Sequence, residues 1–158
     1  MNIVLQRVKR LTVQPLEREL PPGWIIRNHE DSRDNAAWLR LRELSFADEK
    51  PAVRPWTAAD FQREFLSKPW WEPQRMWFAE IEGEPVGTVA LADRSEGIPA
   101  VHWLAVLPER RRQGIAELLM NRLERFCWER NRREIHLETH RDWKSAVQFY
   151  EALGYRSG

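Results

Sequence analysis

The sequence predicts a mixed α/β domain built on a mostly antiparallel central sheet flanked by helices. Three observations carry that prediction. Short segments with apolar residues at every second position recur along the chain, the pattern of half-buried strands. Longer stretches with apolar residues three and four apart lie between them, the pattern of helices with one buried stripe. No repeat, low-complexity tract or long linker divides the 158 residues, a length that suits one domain with its own core.

Taken in order, residues 2–14 alternate like a strand that Pro15 ends, and 1–22 as a whole reads as an added edge strand or an arm leading to Pro21-Pro22-Gly23. Residues 24–28 form the next strand. Asp31 or Ser32 can then cap a helix marked by Ala36, Ala37, Leu39, Leu41 and Leu44, because a short side-chain oxygen satisfies a free N–H of the first turn. Residues 46–56, with Pro51 and Pro55, read as a loop. Thr57-Ala58-Ala59-Asp60 has the form of a capping box, and Phe61, Phe65 and Leu66 follow at helical spacing. Residues 76–81 and 86–92 flank the turn Glu82-Gly83-Glu84-Pro85 as a hairpin, and 100–106 supplies the next strand after a turn at 97–99. From Gly114 a helix is expected whose stripe is Ile115, Leu118, Leu119, Leu123, Phe126 and Cys127, with Glu117, Asn121, Arg122, Glu124 and Arg125 mostly off it. Residues 134–139 alternate with Ile135, Leu137 and Thr139 on one face, and 145–153 is a helix stopping at Gly154.

Composition narrows the function classes. With 25 Lys plus Arg against 24 Asp plus Glu, the net charge of +1 demands no polyanionic partner, so no nucleic acid is expected. A single cysteine, Cys127, excludes an internal disulfide and suits a reducing compartment. No apolar run approaches the roughly eighteen residues that span a bilayer, and charges stand where a signal peptide needs an apolar centre. A cytoplasmic protein without a membrane partner or a metal is expected, as a monomer or homodimer. Nine Trp residues supply large buried areas. Trp70 and Trp71 fall in a loop between Lys68-Pro69 and Glu72-Pro73, either as a lid on the core edge or as a wall of a substrate pocket.

The segment that bears on chemistry is Arg110-Arg111-Arg112-Gln113-Gly114-Ile115-Ala116. It joins a strand to a helix start, where backbone N–H groups lack helical partners and the dipole is positive. A glycine there lets a ligand approach the main chain, and guanidinium forks match phosphate oxygens. A phosphorylated cofactor is the natural ligand. Neither a Walker-type G-x-x-x-x-G-K-[ST] nor a G-x-G-x-x-G is present, which removes the usual nucleotide-hydrolase and dinucleotide readings.

Arg111-x-x-Gly114-x-Ala116 resembles the pyrophosphate loop of the GNAT acetyltransferase superfamily. Ala146-Val147-Gln148-Phe149-Tyr150-Glu151-Ala152-Leu153-Gly154-Tyr155 resembles a second element of the same family, in the expected order. The resemblance implies a splayed sheet, acetyl-CoA as cofactor, and an amine acceptor attacked directly in a ternary complex. It implies cofactor contacts at Leu104, Ala105 and Val106 on the strand and at Arg111, Arg112, Gln113, Gly114, Ile115 and Ala116 on the loop. Tyr150 takes the position of the general acid. His102, two residues before Leu104, is either the proton acceptor or a histidine packed at the sheet surface; its ordinary pKa suits the first role. One position departs: Trp143 stands where the family commonly has Asn, and Asp142, Lys144 or Ser145 are candidates to replace that contact.

Acceptor choice is expected from the first two helices, their loop and Trp70-Trp71. Leu20-Pro21-Pro22-Gly23-Trp24, Ala36-Ala37-Trp38-Leu39, Phe46-Ala47-Asp48 and Trp56-Thr57 are similar to mycothiol synthase-like acetyltransferase domains, which implies a small-molecule amine such as a cysteinyl amine on a sugar conjugate. Related proteins continue past the position of Tyr155 through a further strand, so the C-terminal strand is expected to be short or missing, with the N-terminal segment covering the edge. Two alternatives remain: a catalytically degenerate CoA sensor, and a nucleic-acid-binding module using the clusters at 110–112 and 130–133.

Overall fold

The computed structural model describes residues 3–158. Six strands form one sheet: β1 (Val4–Arg10), β2 (Trp24–Asn28), β3 (Met76–Ile81), β4 (Glu84–Arg94), β5 (Ile98–Val106) and β6 (Glu134–His140), in the spatial order β1-β6-β5-β4-β3-β2. All neighbours are antiparallel except β5 and β6. The helices are α1 (Ser32–Ser45), α2 (Ala58–Phe61), α3 (Ile115–Glu129) and α4 (Lys144–Ala152).

Local chemistry fixes the helix starts. Asp31 caps α1 by accepting the Arg33 N–H, and Thr57 and Asp60 complete a reciprocal capping box on α2. α2 then widens into a π-helical turn over Gln62–Leu66, closed by the Ser67 N–H donating to the Gln62 carbonyl at 2.9 Å. Trp38 of α1 meets Phe61 at 5.5 Å and Phe65 at 4.9 Å between ring centroids, so the two helices share one aromatic core. α3 lies close on the sheet because Gly87 of β4 has no side chain; a Cβ there would come within 3.1 Å of Ile115 Cγ2.

The structure corrects two helix faces. α1 buries Asp34, Trp38, Leu41, Arg42 and Ser45, whereas Ala36 and Leu44, expected in its stripe, are exposed. Asp34 is tolerated there because Arg27 donates to both its oxygens, at 2.8 and 2.9 Å. Glu124, expected off the buried face of α3, is buried and accepts from Lys9 Nζ at 2.9 Å and from the Tyr155 hydroxyl at 2.8 Å. Cys127 is buried, and burial pushes its thiol up to about 12, which leaves it unreactive.

β1 runs antiparallel along the whole of β6, from Val4↔His140 to Arg10↔Glu134, and its other edge meets Arg156 through a bridge at Val8. Asn2, the start of the expected strand, lies outside the described residues. Among the described residues no helix is long and apolar enough to cross a membrane.

Candidate active site

Two irregularities in β5 create the site. Its one registered pair with β6 is Ala100↔His136, so the strands separate beyond that point and leave a slot beside Leu104, Ala105 and Val106. On its other edge, Val89 pairs with Leu104 and Leu91 with Val101, which gives β5 one residue more than β4 in the interval. Such a bulge bends a strand and re-aims its side chains. It holds His102 and Trp103, and Trp103 adopts φ 70, the left-handed region.

The slot opens into a cleft of ≈ 980 Å³. At one end stands the N-terminus of α3. Gly114 is its N-cap at φ 86 and ψ 8, and the first helical bond is Leu118 N–H to the Gly114 carbonyl, so the preceding N–H groups are free for a ligand. A Cβ on Gly114 would meet nothing within 4 Å; glycine is required by the backbone angle and by the approach it leaves open. Arg111 and Arg112 are exposed beside it, and Arg111 donates to the Ser45 carbonyl at 2.5 Å. That bond ties the basic turn to the end of α1.

Of the residues expected at the site, His102, Leu104, Ala105, Val106, Arg111, Arg112, Gly114, Ile115, Ala116, Trp70 and Tyr150 all line this cleft, and Gln113 and Trp71 do not. Gln113 is exposed. Trp71 packs edge-on against His29 at 5.3 Å and against Phe65 at 5.9 Å. Ser145 lines the cleft, whereas Asp142 and Lys144 lie outside it.

His102 is half-buried, with Nε2 3.5 Å from Glu64 Oε1. Burial holds the imidazole below its ordinary pKa although Glu64 pulls the other way; the neutral, proton-accepting form is therefore favoured at pH 7. Tyr150 is buried against Phe149 and Tyr155, and among the described residues nothing hydrogen-bonds its hydroxyl. Burial raises this phenol, so it keeps its proton. Tyr155 packs in the core, as its sequence position suggests.

Sequence reasoning missed Glu64, a charged residue three positions after Phe61 that lies in the π-helical turn and faces His102. It missed Arg42 because a charged residue was not counted in an apolar stripe; its place four residues after Trp38 was the available signal. Phe46 bridges Trp103 and Trp143, at 5.3 and 5.5 Å between centroids, and closes the cleft on the α1 side.

The residues present suit a phosphorylated thioester cofactor. Free N–H groups and guanidinium forks stand at one end, main chain faces the slot along β5, and Trp143 brings a buried Nε1 with no partner among the described residues to the cleft wall. That indole N–H is a donor where the family commonly has an amide.

Comparison with known proteins agrees with this geometry. The profile of the Acetyltransferase (GNAT) family matches residues 35–155. Mycothiol acetyltransferase of Thermobispora bispora is 33% identical over 158 residues, an alignment covering 96% of this chain and 53% of that protein; the chain thus spans about half the length of this relative. The GCN5-related N-acetyltransferase of Sphaerobacter thermophilus superposes with a TM-score of 0.73 at 22% identity, over 86% of this chain and 42% of that one. Arabidopsis thaliana Naa50, solved with the bisubstrate analogue CoA-Ac-MVNAL, gives 0.63 at 20% identity, over 84% and 82%. With its profile match over most of the sequence, the chain belongs to the GNAT acetyltransferase family.

Proposed function

We propose that this chain transfers an acetyl group from acetyl-CoA to the primary amine of a small molecule, by direct attack in a ternary complex. The observation that carries the reading is one continuous cleft joining the α3 N-terminus to His102 and Tyr150 through the slot beside β5. When bound, acetyl-CoA supplies an activated acyl carbon. The Gly114 turn and Arg111 and Arg112 would hold its phosphates, and the main chain of Leu104 to Val106 would align its arm.

An alkylamine with a pKa of about 10.4 is almost wholly protonated at pH 7. Glu64 attracts the ammonium, and neutral His102 accepts the proton that the amine must lose, with Glu64 stabilising the imidazolium that results. As the new C–N bond forms and the C–S bond breaks, Tyr150 donates its proton to the departing sulfur, and the second proton that the nitrogen sheds in becoming an amide restores the phenol by way of solvent. Main-chain N–H groups on the edge of β5 that β6 leaves would donate to the carbonyl oxygen, where negative charge develops. The products are an amide and a free thiol.

The acceptor to test first is a cysteinyl amine on a sugar conjugate, supported by relatives named mycothiol acetyltransferase. A panel of this conjugate, polyamines, aminoglycosides and peptides, incubated with acetyl-CoA and read by mass, should show a gain of one acetyl group on the conjugate or another small amine and none on peptides. Acetylation of peptides alone overturns the acceptor class. Tight acetyl-CoA binding with no acetylated product across the panel favours a sensor, the reading that Trp143 at the Asn position otherwise supports.

A further inference from the structure

Arg42 is 3% exposed in the last turn of α1. A guanidinium buried to that extent is normally matched by a carboxylate. Among the described residues none pairs with it: Asp60 is taken by Arg54 at 3.2 Å and Arg63 at 2.6 Å, and Glu64 faces His102. Its Nη1 donates to the Arg54 carbonyl at 2.9 Å, and its Nε is buried with no partner among the described residues. What holds it is aromatic. Its Cζ lies 4.2 Å from the ring centroid of Trp56 and 4.2 Å from that of Trp103, and these indoles meet at 84°. The cation fills the corner between two π faces, where the ring quadrupoles attract it.

Those two indoles are the walls around His102, with centroids 6.1 Å (Trp56) and 6.4 Å (Trp103) from the imidazole; Phe65 at 5.2 Å is the third. Trp103 is also the bulge residue at φ 70, a conformation that persists for a bulky side chain only where its surroundings over-determine it. The contacts on its indole are Arg42, Phe46, Trp56 and His102.

We propose that Arg42 is a positioning residue: it clamps the indoles of Trp56 and Trp103 and thereby fixes the β5 bulge that presents His102 to the cleft. Its charge has a second consequence. Three charged groups act on His102, namely Glu64 and Lys68 from the segment after α2 and Arg42 from α1. Glu64 favours the imidazolium and the two cations disfavour it, so Arg42 adds to the effect of burial in keeping the imidazole neutral. Arg42 is itself lowered to about 10 by burial, which leaves it cationic at neutral pH.

The kinetic part of this inference rests on the acetyl-transfer reading, and the structural part does not. The test is Arg42→Met, which keeps volume and removes charge and fork. The His102 ring is followed by NMR titration in the free protein, alongside calorimetry with acetyl-CoA and the rate of acetyl transfer to the small amine that the unaltered protein acetylates. The expected result is an upward shift of the His102 titration, kcat lower by ~10–100-fold from misplacement of the proton acceptor, and acetyl-CoA affinity within about twofold, since the cofactor contacts lie elsewhere. A folded Arg42→Met protein with an unchanged His102 titration and kcat within about twofold overturns the proposal. If Arg42→Met does not fold, Arg42→Lys decides: its compact ammonium keeps the charge but cannot lie flat on both indoles. It should leave the titration near that of the unaltered protein while kcat falls about tenfold, and full activity in that variant overturns the clamp. Should the unaltered protein transfer no acetyl group, the function fails on that result alone, and the NMR comparison still decides the role of Arg42.

Discussion

The two ends of the cleft are built from different materials. The α3 end is main chain: a glycine at φ 86, N–H groups at a helix start and exposed arginines. The opposite end is side chain: Glu64 from a π-helical turn, His102 and Trp103 from a bulge, Trp56 from a loop and Arg42 from α1. A phosphate common to every turnover needs a geometry that three or four consecutive residues can supply. Selection and deprotonation of an amine, as proposed for this end, would need groups converging from several directions, and the side chains here come from segments distant in sequence.

Tyr150 lines the same cleft as both ends. Tyr150→Phe removes only a hydroxyl that the described residues leave unbonded, so kcat should fall ~100-fold while acetyl-CoA affinity and melting temperature hold steady. Equal kcat in the variant removes the general-acid role. Glu64→Gln acts on the side-chain end alone. Glu64 raises the His102 pKa, so its loss should move the acidic limb of the kcat/KM profile to lower pH and reduce the plateau about tenfold. An upward or absent shift contradicts the assignment of that limb to His102.

This difference also explains what the sequence disclosed. The turn from Arg111 to Ala116 was legible as a strand-to-helix turn beside the cleft because a local backbone conformation constrains residue type at fixed spacing. The strands and helix caps were legible for the same reason, with Asp31 and the Thr57–Asp60 box found as caps. Arg42 and Glu64 were not. Arg42 owes its burial to two indoles from other segments, and Glu64 faces a histidine on a strand distant in sequence. The burial of Glu124 was hidden likewise, since its partners Lys9 and Tyr155 lie near opposite ends of the chain.

Smaller effects sharpen the boundary of the site. Trp70 lines the cleft and Trp71 does not, so Trp70→Ala should raise the acceptor KM severalfold, and Trp71→Ala should lower the melting temperature with the KM little changed. The reverse pattern would move the acceptor wall to the His29 side. Away from the cleft, Tyr155→Phe leaves the buried Glu124 carboxylate with Lys9 as its remaining partner, a loss of about 1–3 kcal/mol in urea unfolding with no change in acetyl-CoA affinity. A change in affinity would show that the core network and the α3 N-terminus are coupled.

The proposed function depends most directly on phosphate binding by the main chain at the start of α3. Calorimetry of acetyl-CoA binding to the unaltered protein and to Gly114→Val tests it directly, because a β-branched residue is strained at φ 86 and its side chain occupies the open approach. Stoichiometric binding by the first and at least ~100-fold weaker binding by a folded second protein are expected. Equal affinity in the two, or no binding by the unaltered protein, would contradict it.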